Sequence, residues 1–273
     1  MVLNPLISVL LPVYNAEQYL KQSLESILGQ TYTNLEIIII NDGSSDQSKE
    51  IINSYQDARI VYIEQPHNKG LIACLNEGIQ IAKGDYIIRM DADDIAFNNR
   101  IEKQINFLAS NPSIAVVGSN AIFIEDNVNA PIANWDLDLK IKTSQEIRKT
   151  LLWENCLIHP SICMRSSIAK SFYYDKDQKN YEDFDLWLRI IAKNLNIAKI
   201  NEPLLYYRVQ PNSITQTAIR KHNFYFQKGV VKLRFVLKNL KQLHFNAFIG
   251  GVLITSFADL IMSIGKSLKQ LVK

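Results

Sequence analysis

Residues 84–94 read GDYIIRMDADD, in which a short apolar stretch runs directly into three carboxylates. The apolar residues 86–88 are typical of a buried β-strand. Asp91, Asp93 and Asp94 follow it closely, although like charges at such spacing repel one another. We therefore expect a positively charged group to bind at the end of this strand.

Strand and helix patterns alternate on both sides of this stretch. Apolar runs with the length of buried parallel strands occupy 6–13, 35–40, 60–63, 85–90 and 114–119, and a last strand pattern occupies 203–209. Helical periodicity occupies 16–29, 45–56, 70–82, 99–109 and 182–194. Ser45 is placed to cap the second of these helices. The alternation predicts an α/β fold with an open, Rossmann-like, mostly parallel sheet flanked by helices.

The composition is that of a globular protein with a sizeable core. Apolar residues make up 47% and charged residues 21% of the 273 residues, which suits one large domain or a domain with an appendage. The cysteines (Cys74, Cys156 and Cys163) show no CxxC spacing, which argues against a disulfide framework or zinc knuckle and favours a reducing cytosol. Residues 1–17 lack a basic region and contain two prolines, so they predict a buried strand rather than a signal peptide.

Charge is distributed unevenly along the chain. Residues 220–273 hold ten of the 30 Lys and Arg residues but one of the 27 acidic residues, so this tail carries +9 and the rest of the chain −6. Such a split predicts an acidic partner for the tail, either membrane lipid or nucleic acid.

Two common nucleotide-binding signatures are absent from the sequence. The turn after the first strand reads PVYNAE at 12–17 rather than GxGxxG, and no glycine loop ending in Gly-Lys-Ser/Thr occurs. NAD-dependent and P-loop chemistry are therefore disfavoured. Aspartates spaced as Asp-x-Asp at a strand end instead supply the hard oxygen ligands that Mg²⁺ or Mn²⁺ uses together with substrate phosphates. The same motif taken alone also fits a solvated acidic turn.

Four segments, in this order, resemble glycosyltransferase family 2, whose members use nucleotide sugars and have the GT-A fold. They are ISVLLPVYNAEQYLKQSLESILGQTY (7–32), LEIIIINDGSSD (35–46), NKGLIACLNEGIQIAKGDYIIRMDADD (68–94) and YEDFDLWLRI (181–190). The resemblance covers about residues 5–210. It implies a GT-A glycosyltransferase domain at 1–215, followed by a basic, apolar helical extension at 216–273.

The resemblance implies that the nucleotide lies against the ends of the first two strands. Pro12, Tyr14 and Glu17 lie where the first loop of the family contacts the nucleotide. Asp42 matches the aspartate that accepts a hydrogen bond from the base, usually uracil. Asp42 also belongs to an Asn-Asp-Gly sequence, so a purely structural turn residue is the alternative.

Asp91 and Asp93 match the Asp-x-Asp pair of the family. The resemblance implies that Asp93 is the direct ligand of a Mn²⁺ or Mg²⁺ cofactor and that Asp91 lies nearer the ribose. Asp94 and Arg100 extend the motif, and we expect them to order it.

Glu182 and Asp183 open the later helix. In the family the aspartate of this Glu-Asp pair is the general base, which makes Asp183 the candidate base and Asp185 a second candidate. Carboxylates in a first helical turn are also stabilised by the helix dipole, so a structural role is the alternative. A single base implies a single displacement, in which the acceptor hydroxyl attacks the anomeric carbon and inverts that centre.

Three further residues are candidate accessory groups. His159 lies where many relatives have a His-Pro element lining the site, although a lone histidine is more often structural. Arg208 belongs to the family's Tyr-Arg pair, and Gln210 stands where many relatives have a histidine. A glutamine can bond a phosphate but carries no positive charge. The Gln-x-x-Arg-Trp motif of processive synthases is absent, which favours transfer of one sugar per encounter.

The leading hypothesis is an inverting, metal-dependent glycosyltransferase in surface polysaccharide biosynthesis. It would move a sugar from a UDP-linked nucleotide-sugar donor to a hydroxyl of a glycan or lipid-linked acceptor. A nucleotidyltransferase of the same fold is one alternative, but it needs a glycine-rich basic phosphate loop near the N-terminus. A non-catalytic protein that binds sugar nucleotides or glycans is the other, and the presence of both Asp93 and Asp183 disfavours it.

The tail combines basic and apolar residues. Seven Lys and Arg residues lie among apolar ones at 220–243, and 245–265 is almost uncharged. The second stretch is long enough to span a bilayer, but Asn246, Gly250 and especially Asp259 disfavour a span. We expect a helix lying at the cytoplasmic face of the inner membrane, with no nucleic-acid partner. A helical pair that packs on the domain or on a second subunit is the alternative.

Overall fold

A computed structural model describes residues 4–132, 135–178, 180–210 and 223–271. The strands are β1 (Ile7–Val13), β2 (Leu35–Asn41), β3 (Ile60–Glu64), β4 (Tyr86–Arg89), β5 (Ile95–Ala96), β6 (Ile114–Ile124), β7 (Cys163–Arg165) and β8 (Asn196–Arg208). The helices are α1 (Leu20–Leu28), α2 (Ser48–Asn53), α3 (Leu71–Ile81), α4 (Arg100–Ser110), α5 (Asp136–Lys140), α6 (Ser144–Thr150), α7 (Ser166–Phe172), α8 (Glu182–Ala192), α9 (Phe224–Lys241) and α10 (Ala247–Leu271). A 3₁₀ turn covers His159–Ser161.

The eight strands form one mixed sheet in the order β3-β2-β1-β4-β7-β6-β8-β5. β1 pairs in parallel with β2 and β4, β2 with β3, and β6 with β8. β7 runs antiparallel to β4 and β6, and the short β5 runs antiparallel to β8. The predicted α/β sheet flanked by helices is confirmed. Its parallel part places the carboxyl ends of β1, β2 and β4 at one edge, where ligands bind in open α/β sheets.

Both faces of the sheet are covered, which explains why its strands are continuously apolar. Alternate residues of β1 belong to different cores, because successive side chains of a strand point to opposite faces. Val9 and Leu11 belong to the core that contains residues of α1 and α4. Leu10 belongs to the core that contains residues of α3, α7 and α8.

The loop after β1 accounts for two differences between the predicted and the observed helix starts, those of α1 and α2. Helix α1 begins at Leu20 rather than 16, since residues 15–17 are hydrogen-bonded to residues 44–48. The prediction that Ser45 caps the second helix is wrong, because the N-cap is Gln47. The Gln47 N–H donates to the carboxylate of Glu17 at 2.9 Å, so a side chain 30 residues earlier serves this helix start.

Helices α9 and α10, here called the tail hairpin, pack against the body of the protein. Val231 and Phe235 of α9 and Ile249 and Val252 of α10 join the core that contains α8. Of the arrangements left open by the sequence, the structure therefore has a helical pair on the domain. The predicted domain boundary between 215 and 216 lies outside the described residues and stays a prediction. Ala247–Lys266 is long and apolar enough to cross a membrane by length and composition, and 39% of its most apolar window is buried in the protein.

Candidate active site

The sheet brings two groups of carboxylates to the same edge of the molecule. The first group (Asp91, Asp93 and Asp94) follows β4, the strand next to β1. The second group (Glu182 and Asp183) forms the first turn of α8. The 3₁₀ turn that precedes β7 lies between them, because β7 is antiparallel to β4 and so begins where β4 ends. Two distant segments of the sequence thus form one candidate site.

The three aspartates after β4 form a compact group of oxygen atoms. One carboxylate oxygen from each of Asp91, Asp93 and Asp94 lies within 4.8 Å of the others. Burial and the neighbouring Asp91 raise the pKa of Asp93 to about 6. Burial and both neighbouring aspartates also raise the pKa of Asp94, whose Oδ2 has no hydrogen-bond partner among the residues that the structure describes. Crowded, desolvated oxygen ligands of this kind fit a hard divalent cation.

Arginines hold this group from two sides without neutralising all of it. Arg89, at the end of β4, donates to Asp91 Oδ2 at 2.6 Å, and its second terminal nitrogen contacts Oδ1. Arg208, at the end of β8, donates its backbone N–H to Asp94 Oδ1 and its Nε–H to the Asp93 carbonyl, both at 2.8 Å. Asp91 and Asp94 each accept a hydrogen bond from an arginine. The carboxylate of Asp93 accepts none from Arg89 or Arg208, because Arg208 bonds the Asp93 carbonyl instead.

Gln210 is the residue that reaches the Asp93 carboxylate, with its Nε2 donating to Oδ2 at 2.8 Å. Arg208 beside it donates to the carbonyls of Glu125 and Asp126 and lies over the Tyr19 ring, 4.0 Å from its centroid. The two predicted accessory residues thus contact the cluster. Arg208 orders its backbone, and Gln210 lies next to the predicted metal ligand.

Arg100 acts on the backbone of the site rather than on the carboxylates. Its side chain is fully buried, and Nη2 donates to the carbonyls of Arg89 at 2.9 Å and Pro160 at 2.7 Å. It therefore joins the end of β4 to the 3₁₀ turn. This contact supports the expectation that Arg100 orders the motif.

The loop after β1, which is predicted to contact the nucleotide, is hydrogen-bonded to the start of α2. Pro12 lies near the end of β1, and Tyr14 is exposed. Glu17 accepts from Gln47, and its own N–H donates to Asp46 Oδ2 at 2.9 Å. The Glu17 carboxylate therefore has a structural partner, and nucleotide contact by these residues stays a prediction.

Asp42 is buried at the end of β2 and organises a second loop. Its Oδ1 accepts from the Lys69 N–H at 2.7 Å and its Oδ2 from the Gly70 N–H at 2.8 Å. The adjacent Gly43 has φ of 68°, and a Cβ there would lie 2.7 Å from the His67 carbonyl carbon, which explains the glycine. The predicted turn role of Asp42 is present, and its contact with a nucleotide base stays a prediction.

Asp183 is fixed as an acceptor by two donors. Its Oδ2 accepts from Asn155 Nδ2 at 2.6 Å, and its Oδ1 accepts from the Phe184 N–H at 2.7 Å. Burial raises the pKa of Asp183 above its usual value, and the adjacent Glu182 raises it further. A carboxylate that is oriented by two donors, and that has a raised pKa and so is a stronger base than usual, suits general-base chemistry.

His159 links the two carboxylate groups through the 3₁₀ turn. Its Nε2 lies 2.7 Å from the Tyr174 hydroxyl, and its Nδ1 lies 3.6 Å from Glu182 Oε1. Burial opposes ionisation of Glu182, but the hydrogen bond and charge of His159 lower the pKa of Glu182 below its usual value, with a further contribution from Arg89. His159 thus contacts Glu182 rather than Asp183, the candidate base.

Asp185, the second candidate base, has a different partner. It is almost fully buried, and its Oδ2 accepts from Arg189 Nε at 2.7 Å. Arg189 also donates to the carbonyls of Phe172 and Tyr173. This ion pair joins α8 to the end of α7 and makes Asp185 a structural residue.

Sequence reasoning missed Asn155 and Arg89 as site residues. Asn155 lies in a loop, and nothing in its local pattern connects it to an aspartate 28 residues later. Arg89 had a signal, because an arginine is unusual at the end of an otherwise apolar strand two residues before Asp91.

Solved structures with the same architecture are known. The structure aligns with residues 1–349 of Staphylococcus aureus TarS at a TM-score of 0.68 and 19% identity, covering 92% of this chain and 72% of that one. The TarS structure in complex with UDP aligns at 0.63 and 19% identity over 85% of this chain and 65% of that chain. The mannosyltransferase PcManGT of Pyrobaculum calidifontis, in complex with GDP-Man and Mn²⁺, aligns at 0.63 and 15% identity over 97% and 76%. These likenesses define the GT-A fold.

The sequence comparisons define the family within that fold. The model of Glycosyl transferase family 2 matches residues 8–172, more than half of the chain. An uncharacterized glycosyltransferase of Methanocaldococcus jannaschii is 37% identical over 226 residues, which is 81% of this chain and 77% of the relative. The glucosyltransferase WfaP of Escherichia coli is 32% identical over 220 residues, covering 79% and 82%. The chain belongs to glycosyltransferase family 2 and is a glycosyltransferase.

Proposed function

We propose that this glycosyltransferase transfers one sugar per encounter, with inversion, from a UDP-linked donor to a hydroxyl of a glycan or lipid-linked acceptor in surface polysaccharide biosynthesis. The observation that carries the proposal is the hydrogen-bonded Asp183 at the same edge as the Asp91–Asp94 cluster. Asp183 suits a general base, and the Asp91–Asp94 cluster suits a divalent cation that binds a diphosphate. Their separation into two groups matches a single-displacement transfer.

In this reaction the residues of the chain move one proton. Asp183 accepts the proton of the acceptor hydroxyl, whose oxygen forms a bond to the anomeric carbon. The bond from that carbon to the diphosphate breaks, and the nucleoside diphosphate leaves with the electron pair. Asn155 keeps the base oriented, and attack opposite the leaving group inverts the centre.

Asp93, with Asp91 beside it, would hold the Mn²⁺ or Mg²⁺ ion. When bound, such an ion stabilises negative charge on a departing diphosphate. Burial and the neighbouring Asp91 raise the pKa of Asp93 to about 6, and Asp94 Oδ2 is buried without a hydrogen-bond partner among the described residues. A bound cation would offset the burial and repulsion of these carboxylates, which supports the assignment. Arg208 and Gln210 would position the ligand oxygens from the opposite side.

The names of relatives support the donor and acceptor classes. WfaP is named as a UDP-Glc:alpha-D-GlcNAc-diphosphoundecaprenol beta-1,3-glucosyltransferase, which couples a UDP-sugar with a lipid-linked acceptor. TarS was solved with UDP and with UDP-GlcNAc, whereas PcManGT was solved with GDP-Man. We infer a UDP donor from the first two, and the guanosine nucleotide is the competitor that an experiment must include.

The test is a panel of UDP- and GDP-sugars, each measured for thermal stabilisation with Mn²⁺ and with a chelator. A ligand at about 100 times its Kd stabilises by about 2.7 kcal/mol, which raises Tm by several degrees. We expect one UDP-sugar to do so only with the metal. Equal stabilisation in the chelator would remove the metal from the proposal, and a response confined to GDP-sugars would change the donor.

Product analysis separates the enzyme from its two alternatives. Metal-dependent release of UDP on addition of acceptor supports transfer. Donor binding without UDP release under any acceptor condition points to a binding protein, and release of inorganic diphosphate from a sugar phosphate and UTP points to a nucleotidyltransferase.

A further inference from the structure

The tail hairpin has one side packed on the body and one side turned away from it. Gly229 of α9 lets the helices approach closely, since a Cβ there would lie 3.0 Å from the Leu260 side chain. Val231 and Phe235 of α9 and Val252 of α10 are buried toward the body. The remaining sides of both helices therefore form one outer face.

This outer face is unusually apolar for a surface in water. The exposed apolar residues of α9 recur at helical spacing, and so do those of α10. The turn between the two helices exposes two more apolar residues. These residues are Phe226, Val230, Leu237, Leu240, Leu243, Phe245, Ile254, Phe257, Ile261 and Ile264. Leu243 is 96% exposed, Ile254 is 70% exposed and Ile261 is 69% exposed, so the body covers little of them. Exposed apolar residues that recur along one side of each of two paired helices indicate a binding surface.

Cations border the apolar residues of this face. A groove of 320 Å³ on α9 is lined by Val230, Leu233 and Leu237 together with Arg234, Lys238 and Lys241. Arg234 pairs with Asp177 and Lys238 with Asp175, at the edge where α9 meets the body. Both members of the Arg234 pair are exposed, and exposed pairs are weak, so Arg234 can also meet an external anion.

The acidic residue of the hairpin is turned inward. Asp259 is fully buried and pairs with Lys232 at 2.7 Å and Lys228 at 3.0 Å. Within residues 223–271, the described part of the tail, no other acidic residue occurs. The outer face thus combines apolar side chains with positive charge.

We propose that the outer face of the tail hairpin is a docking surface for an anionic lipid bilayer, on which α9 and α10 lie flat at the cytoplasmic side of the inner membrane. Apolar residues would enter the interface while Arg234 and Lys241, which line the groove on α9, meet lipid phosphates. A second copy of the chain fits less well, because its identical outer face would bring like charges together. The proposal agrees with a lipid-linked acceptor but does not require the proposed donor or reaction.

The contacts of α10 argue for lying on the membrane rather than crossing it. A crossing helix would have to leave α9 and the body, which would separate Asp259 from Lys228 and Lys232. It would also break the hydrogen bond from the Thr255 hydroxyl to the Leu152 carbonyl. A flat orientation keeps all of these contacts.

Flotation of the full chain with vesicles tests the proposal. We expect it to float with phosphatidylglycerol and phosphatidylcholine mixtures, to stay in solution with phosphatidylcholine alone, and to be released by carbonate at high pH. The variant Ile254→Glu/Ile261→Glu should lose at least tenfold in vesicle affinity. Val61→Glu/Leu139→Glu is the matched control, because it places the same two charges at exposed apolar residues of the body, on β3 and α5. Its affinity should equal that of the parent.

Three results would overturn the proposal: equal flotation with neutral lipid, unchanged affinity of the double variant, or retention after carbonate treatment, which indicates a span. A parent whose mass in solution is that of a dimer, and whose double variant has the mass of a monomer, would assign the face to a second copy.

Should the double variant misfold, an Ile261→Trp chain replaces it. Its added fluorescence should be quenched by brominated phosphatidylglycerol, and absence of quenching contradicts docking. Transfer to a water-soluble acceptor without vesicles tests the proposed function separately.

Discussion

Asp93 shares its turn with two further aspartates, and its carboxylate accepts a hydrogen bond from Gln210. Asp183 has one acidic neighbour, Glu182, and its carboxylate accepts from Asn155 and from the Phe184 N–H. The first group follows a strand in a tight turn, so its carboxylates have little freedom to separate. The second begins a helix, where backbone N–H groups and Asn155 accommodate the charge. Both aspartates have raised pKa values because both are buried, but the surroundings differ.

The difference supports two separate roles for one residue type in the proposed reaction. Like charges held together favour a ligand that brings positive charge, which suits the Asp91–Asp94 cluster to a cation. Asp183 is oriented by its donors, which suits it to accept a proton from a substrate hydroxyl. If the comparison is right, neutralising each aspartate should damage a different step of the reaction.

The largest effect is expected for Asp183→Asn. The amide keeps the size of the side chain but cannot accept a proton, so transfer should fall roughly 10²–10⁴-fold, the range for a lost general base. Donor affinity by calorimetry should stay near that of the parent. Asp185→Asn is the matched control, and its rate per folded molecule should be nearly unchanged because Asp185 pairs with Arg189. Reversal of the two phenotypes would move the base to Asp185.

A smaller effect is expected for Asp93→Asn, and in binding rather than in the proton transfer. Removing a direct ligand should lower Mn²⁺-dependent nucleotide affinity roughly 100-fold. Substituting residues that only hydrogen-bond metal ligands already lowers metal affinity by roughly 10- to 100-fold, so a direct ligand should reach the upper end of that range. Calorimetry with Mn²⁺ and with a chelator measures it, and Asp57→Asn, in an ion pair with Arg59, is the control. Metal-dependent affinity that survives the substitution would refute the assignment of Asp93.

The smallest effect is expected for Asn155→Ala, which tests whether the base needs its donor. A hydrogen bond to a charged group contributes about 1.5 kcal/mol or more, so kcat should fall roughly tenfold. The bond lowers the pKa of Asp183, and its loss should raise that pKa. Since the ionised form reacts, the acidic limb of the pH–rate profile should move to higher pH. Asn111→Ala, which removes an amide contact to the Phe107 carbonyl, should leave the profile unchanged; a profile that stays fixed in both variants would make Asn155 merely structural.

The strands and the acidic groups could be predicted because each leaves a local signal. Four predicted apolar runs became β1 to β4 with no end shifted by more than one residue, since buried parallel strands are apolar on both faces. Asp42 and the aspartates after β4 follow strand ends, where the fold itself places ligands. The positions of these residues therefore followed from the pattern, whereas their assigned roles stay predictions.

The remaining features depend on contacts between distant segments. Gln47 took the cap position predicted for Ser45 because Glu17 lies beside that helix start. Lys228 and Lys232, predicted to meet lipid with the other basic residues of the tail, are instead buried against Asp259. A sequence pattern records the number of charges in a helix but not which of them find a partner 27 residues away.

The contacts of Arg208 and Gln210 with Asp93 and Asp94 bear on the order in which the site forms during synthesis and folding. A nascent chain that has left the ribosome only through α8 already carries every acidic residue of the site, yet it lacks the strand whose end orders Asp93 and Asp94. Joining segments so far apart is among the later events of folding. If Asp93 binds the donor as proposed, a chain that ends before β8 should not yet bind nucleotide sugar, because Asp93 and Asp94 still lack the contacts that order them.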